Sequence, residues 1–288
     1  MTQAARFVSA ADGTLISYDV IGNGPALVLN NGLTTSTAFW KYVRPAWAER
    51  HRVITWDLPG HGRSERPRTL ASVELEAQPE IIARVMDAAR VECATQVGFS
   101  LGCQISLEML RQKPARCAAV ALLLGTAGRV FDSLRLPVGT LVPKLLLELP
   151  PRLFALWFAS LARFANHGFA RTLSRQSGMV GAAVTDQDLR ELLAHLGGLE
   201  PISLQRMARS GARHSAEDVL ATTQKPVLIV GGGKDPFAPL ETVGRVLHHI
   251  APRSLLTELP GATHTALLEQ ADVIGAAVEE FLLGVGHA

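Results

Sequence analysis

The sequence predicts an α/β protein: a mostly parallel central sheet flanked by helices, with a helical segment inserted in its second half. Three observations carry this. Short β-rich runs alternate with helix-like runs through the first half of the chain. The run "CAAVALLLGTAG" from Cys117 is apolar almost throughout, as a strand buried on both faces requires. The alternation stops near Ala127 and resumes after Ala216. Strands alternating with helices imply right-handed βαβ units and parallel pairing. The expected organisation is a core of residues 1–126 and 217–288, with a helical cap over 127–216 placed to cover one end of the sheet.

Taken in order, "RFVSA" and "LISYDV" flank Asp12-Gly13, a hairpin signal. "ALVLNNG" is a strand ending in Asn and Gly. "STAFWKYVRPAW" reads as a helix capped by Ser36 and running until Pro45. "HRVITWDLPGHG" is a strand with its turn, and "PEIIARVMDAARV" has apolar residues at helical spacing. "ATQVGFS" is a strand, and "LGCQISLEMLRQK" a helix stopped by Pro114. Beyond the insertion come the strand "PVLIVGGGKD", the helix "PLETVGRVLHHI", the strand and loop "SLLTELPGATH", and the final helix "ALLEQADVIGAAVEEFLLG".

Composition narrows the function classes. Of 288 residues 48% are hydrophobic and 19% charged, enough to fill a large core and too apolar for disorder. The net charge is +2, with basic residues scattered, so nucleic acid is not an expected partner. Cys93, Cys103 and Cys117 are odd in number and lack metal-site spacing, which points to a reducing compartment and a cytoplasmic location. The N-terminus has no apolar core of a signal peptide. The most apolar stretch, "LVPKLLLELPPRLFALWFASLARF", is broken by Lys144, Glu148, Pro150, Pro151 and Arg152, so no membrane span is expected. Monomer and homo-oligomer are both open.

The chemistry is suggested by "QVGFSLGCQ". Ser100 stands between Gly98 and Gly102, after a strand and before a helix. That context suits a nucleophile on a sharp turn, with the helix N-terminus favouring negative charge beside it; the alternative is a capping serine. A serine hydroxyl needs a base, and the base an orienting carboxylate. His264, in the loop after the last strand, falls at the carboxyl edge of the sheet with Ser100. For the other histidines, surface or turn roles, or places in the insertion or tail, are expected. Asp235, just past the strand Val227–Val230, is the expected acid, with Asp132 as the alternative. "GGGK" around Lys234 lacks phosphate-loop spacing, and "IGNGPALV" runs into a strand rather than a helix, so neither is a nucleotide fingerprint.

With Ser100, Asp235 and His264 in that order, the chain resembles the α/β-hydrolase fold superfamily, in its esterase- and lipase-like branch. The resemblance spans nearly the whole length through "VGFSLGC", "VITWDLPGHGRS", "GGGKDPFAP" and "LPGATHTALLEQ". It implies about eight strands, a helical cap, and an oxyanion hole formed by the backbone N–H groups of Leu101 and Leu33. Relatives usually carry His-Gly where this chain has Asn31-Gly32. The Asn31 amide is expected either to take over the imidazole's structural role or to face the substrate. Asp57 is expected to be a turn residue. The resemblance implies hydrolysis of an ester-like bond in a small hydrophobic substrate, without metal or cofactor. Carbon–carbon bond hydrolase, lactonase and perhydrolase chemistries are alternatives, as is a non-catalytic ligand-binding protein. Leu153, Phe154, Trp157, Phe158 and Leu161 form an apolar stripe in the insertion. It is either core between cap and sheet or, with Trp157 and Phe158 foremost, lining for an acyl pocket.

Overall fold

The computed structural model describes residues 5–135, 139–165, 172, 174, 175 and 179–286. Strands β1 (Arg6–Ser9) and β2 (Leu15–Ile21) pair antiparallel, with Gly13 at φ 84° in the intervening turn. The remaining strands are β3 (Ala26–Asn30), β4 (Arg52–Trp56), β5 (Ala94–Phe99), β6 (Cys117–Leu123), β7 (Val227–Gly232) and β8 (Ser254–Leu259). They form one eight-stranded sheet in the order β1-β2-β4-β3-β5-β6-β7-β8. β2 also runs antiparallel to β4, and every pair from β4 onward is parallel. The carboxyl ends of β3, β5 and β7 therefore share one edge, where open α/β sheets bind ligands.

The central strands are apolar because helices cover both their faces. Alternate residues go to opposite layers. Val28, Ile54, Val120, Leu122 and Ile229 join one cluster with residues of α2 (Gln78–Ala88) and α3 (Leu101–Gln112). Leu27, Leu29, Val97, Leu123 and Val230 join the other, with Trp47 of α1 (Arg44–Trp47) and the later helices. Each fully buried side chain of this kind is worth about 1.5–3 kcal/mol.

"STAFWKYVRPAW" departs from expectation. It forms a 3₁₀ turn, Thr37–Trp40, and then α1, with Pro45 inside the first turn of α1 rather than ending a helix. Proline fits there because a first-turn N–H has no helical acceptor. Ser36 makes no capping bond. Asp57 does that work, accepting from the Thr37 N–H at 2.8 Å and the Thr37 hydroxyl at 2.9 Å.

Between β6 and β7 lie α4 (Leu141–Leu147), α5 (Pro151–Ala165), α6 (Asp186–Gly198), α7 (Pro201–Arg213) and α8 (Glu217–Thr222), with no strand among the described residues. Local chemistry starts two of them. The Thr185 hydroxyl accepts from the Asp188 N–H ahead of α6, and the Glu200 carboxylate accepts from the Ile202 and Ser203 N–H groups ahead of Pro201. Leu147, Phe154, Phe158, Leu199, Leu204 and Ala208 bury themselves together. After β7 come α9 (Arg245–Ile250), α10 (Ala266–Glu269) and α11 (Ala271–Gly284). The expected single final helix is thus two, divided at Gln270, whose backbone leaves the helical region at φ −133° and ψ 39°. No described helix is long and apolar enough to cross a membrane.

Candidate active site

Ser100 sits at the junction of β5 and α3 with φ 55° and ψ −118°, a region that side-chain-bearing residues rarely occupy. Such strain persists only where the surroundings enforce it. Here the Ser100 N–H donates to the Leu123 carbonyl at 3.0 Å, and the Cys103 N–H donates to the Ser100 carbonyl at 3.0 Å. The turn is so tight that a Cβ on Gly98 would stand 2.3 Å from the Gly102 carbonyl oxygen. Both flanking glycines are therefore required by contact. Cys103 is buried beneath the turn, and burial pushes its thiol well above the usual range, so it stays protonated.

His264 follows β8 and reaches back over the end of β5. Its Nε2 is 3.0 Å from Ser100 Oγ, and its Nδ1 is 2.8 Å from Asp235 Oδ2. The ring lies between Phe99 and Phe237, with centroids at 5.1 and 4.6 Å. Asp235 leaves the end of β7, and its side chain is fully buried. The other carboxylate oxygen accepts from the N–H groups of Phe237 at 2.8 Å and Ala238 at 3.1 Å. Both oxygens are thus committed, which orients the carboxylate toward the imidazole. Ser100, His264 and Asp235, predicted from three separate segments, are brought together. Asp132 is not among them: it is half exposed and holds Lys144 at 2.6 Å. Phe237 was invisible to sequence reasoning, since nothing local marks an aromatic as a neighbour of a distant histidine.

The loop after β3 closes over the serine. A Cβ on Gly32 would lie 3.2 Å from Ser100 Cβ. Among the described residues, neither the Leu33 N–H nor the Leu101 N–H donates to another group. Leu33 is pinned from beneath, since Nε2 of the buried His61 lies 2.8 Å from its carbonyl oxygen.

Asn31 turns its side chain into the interior. It is 1% exposed, its amide nitrogen donates to the Trp56 carbonyl at 2.6 Å, and its oxygen accepts from Trp40 Nε1 at 2.7 Å. A buried amide with both ends engaged is what a structural part, the other role expected for it, requires. Asn30 repeats the device: its oxygen accepts from Trp56 Nε1 at 2.9 Å and its nitrogen donates to Ser106 Oγ at 2.8 Å. Asn30 was missed by sequence reasoning, although a polar residue ending a fully apolar strand is a usable signal. Asp57 is the expected turn residue, buried and also accepting from the Arg63 N–H at 3.0 Å.

The apolar stripe of the insertion divides. Phe154 and Phe158 are buried in the helical cluster, against which Leu33 packs. Trp157 is 36% exposed with its ring on Phe154, and Leu153 and Leu161 also face solvent. Helix α5 is apolar on more than one side, so spacing alone could not say which residues turn inward. His195 of α6 comes to rest near His61, their ring centroids 5.8 Å apart. Burial and the nearby His61 push its imidazole down to about 4. Among the described residues no three His, Cys, Asp or Glu side chains are grouped as metal ligands.

A sequence profile described as alpha/beta hydrolase fold matches residues 25–271, most of the chain. The chain belongs to the α/β-hydrolase fold family. This α/β hydrolase is 27% identical over 254 residues to a pimeloyl-[acyl-carrier protein] methyl ester esterase of Nitrosomonas europaea, across 88% of this chain and 94% of the relative. It is 23% identical to 3-oxoadipate enol-lactonase 1 of Acinetobacter baylyi, across 91% of each. Among solved structures, a bromoperoxidase from Bacillus anthracis superposes with a TM-score of 0.78 at 21% identity, over 97% of this chain and 99% of that one.

Proposed function

We propose that this α/β hydrolase cleaves an ester-like bond of a small hydrophobic substrate through an acyl-enzyme on Ser100. The relay from Ser100 Oγ to His264 Nε2 at 3.0 Å and from His264 Nδ1 to Asp235 Oδ2 at 2.8 Å carries this reading. His264 takes the Ser100 proton as Oγ attacks the carbonyl carbon. The N–H groups of Leu33 and Leu101 receive the oxyanion, and the N-terminus of α3 adds to their field. Asp235 keeps Nδ1 protonated and stabilises the imidazolium. His264 then protonates the leaving oxygen, which departs as an alcohol. Water, deprotonated by His264, attacks the acyl-enzyme by the same route and releases the acid with Ser100 restored. The scheme uses no metal or cofactor.

Helices α4 to α7 serve as the cap over this site. Phe158 belongs to the cap cluster packed on Leu33, which supports an apolar acyl pocket beside the oxyanion loop. Trp157, turned toward solvent, is left out of that pocket. The esterase relative supports the ester reading, and the enol-lactonase relative supports a second one in which the ester is closed into a ring. The three free cysteines favour the reducing cytoplasm. The test is a fluorophosphonate probe together with graded p-nitrophenyl esters and lactones. Labelling of the wild type, none of Ser100→Ala, and a loss of several orders of magnitude in hydrolysis are expected. Retention of most activity in Ser100→Ala would overturn the proposal.

A further inference from the structure

The residues on either side of His264 are tied together by one carboxylate. The Thr263 hydroxyl donates to Glu269 Oε1 at 2.5 Å, and the Thr265 hydroxyl donates to the same oxygen at 2.6 Å. Each hydroxyl also accepts a backbone proton. Thr263 Oγ1 takes the Thr265 N–H at 3.3 Å, and Thr265 Oγ1 takes the N–H of Gly181 at 3.0 Å. Each hydroxyl thus has a donor and an acceptor partner, as a buried hydroxyl should. Thr263 and Thr265 are 7% and 5% exposed, so water is a poor substitute for these partners.

Gly181 belongs to the inserted segment, between α5 and α6, so the knot around His264 is closed by the cap. The fit is close: a Cβ on Gly181 would fall 1.4 Å from Glu269 Oε2. No residue with a side chain can occupy position 181 while Glu269 keeps its place.

We propose that Glu269 is a positioning residue for the catalytic histidine, and that the cap completes the same clamp through Gly181. The loop from Thr263 to Glu269 carries His264 on a short span, and the two threonine hydroxyls fix that span on both sides of the imidazole. The proposed relay needs Nε2 on Ser100 and Nδ1 on Asp235 at once. A displacement of about 1 Å at such a site can cost on the order of 100-fold in rate. Docking of the cap and alignment of the base are then one event. This inference rests on the serine-hydrolase reading above.

The test compares wild type with Glu269→Ala, Glu269→Gln and Gly181→Ala, reading kcat, KM for a short-chain p-nitrophenyl ester, and the rate of fluorophosphonate labelling. Failure of the wild type to label would defeat the serine-hydrolase reading itself. With the wild type active, Glu269→Ala is expected to lower kcat and labelling about 10- to 100-fold with KM changed less than threefold. Glu269→Gln, whose amide oxygen can accept both hydroxyls, should return kcat to within about threefold of wild type. Gly181→Ala should lower kcat in the same sense as Glu269→Ala. A kcat within twofold of wild type for Glu269→Ala, or a change confined to KM, overturns the proposal. So does a Gln variant as impaired as the Ala variant, and a wild-type kcat for Gly181→Ala removes the cap from the clamp. Should Glu269→Ala not fold, Thr265→Val, which keeps the shape and deletes the hydroxyl, takes its place with the same expected loss.

Discussion

A Cβ on Gly102 would stand 2.1 Å from the carbonyl oxygen of Asn30. The first turn of α3 is therefore pressed against the end of β3, just where the chain enters the loop of Asn31, Gly32 and Leu33. The Ser100 turn and the loop after β3 hold each other in place. Gly102→Ala must push the helix off the strand, an overpacking that costs about 1–3 kcal/mol. We expect a Tm several degrees lower, with fluorophosphonate labelling slowed because the Leu33 and Ser100 backbones separate. A variant that melts and labels like the wild type would show that the contact relaxes freely.

Asp235→Asn has a defined orientation before it is made. The Phe237 and Ala238 N–H groups demand an oxygen where Asp235 Oδ1 now lies. The asparagine nitrogen must then take the Oδ2 position, facing His264 Nδ1 with protons of its own. The imidazole answers by moving its proton to Nε2, where it can no longer accept from Ser100. We expect kcat at neutral pH to fall by roughly 10³- to 10⁴-fold with the fold intact. A loss under tenfold, measured on protein of wild-type Tm, would count against the orienting role.

Asn31→Ala should injure stability rather than substrate affinity. It strands the Trp40 indole N–H and the Trp56 carbonyl, both buried, at a cost of about 1–3 kcal/mol. Thermal melts should show that loss while KM for small esters stays within twofold. An unchanged Tm with a raised KM would return Asn31 to the substrate pocket.

The pair His61 and His195 is expected to make the seam between the turn after β4 and helix α6 acid-sensitive. Burial lowers both imidazoles, His195 to about 4 against an ordinary 6.5. Because the folded value is depressed, the unfolded chain binds a proton that the native protein lacks between those two values. The stability is whole above about pH 6.5 and is lost as pH falls toward about 4. Melting curves of wild type and His195→Gln across that interval should converge as the pH drops. Curves that stay parallel would show that His195 titrates normally.

How much of the site was legible depends on the range of the interaction that builds it. Ser100, Asp235 and His264 each follow an apolar run within a few residues, and parallel strands send their carboxyl ends to one edge. Local periodicity and chain order were then enough to bring them together. Asn31 lay beyond that logic. Its amide could have pointed either way, and what turned it inward was the arrival of Trp40 and Trp56, which come from other elements.

The sequence by itself determined the parallel sheet, the helical stretch between β6 and β7, the glycines around Ser100 and the meeting of Ser100, Asp235 and His264 at one sheet edge. Each rests on a short-range rule: burial on both faces, turn sterics, or the chemistry a serine requires. Tertiary structure alone decided that Phe158 turns into the cap while Trp157 turns out, that the last helix breaks at Gln270, and that Asp57 rather than Ser36 holds the Thr37 turn. It also decided that Glu269 and Gly181 meet around the histidine. Those outcomes depend on which surfaces compete for the same space once the helices fold back onto the sheet. No pattern within a single segment encodes that competition.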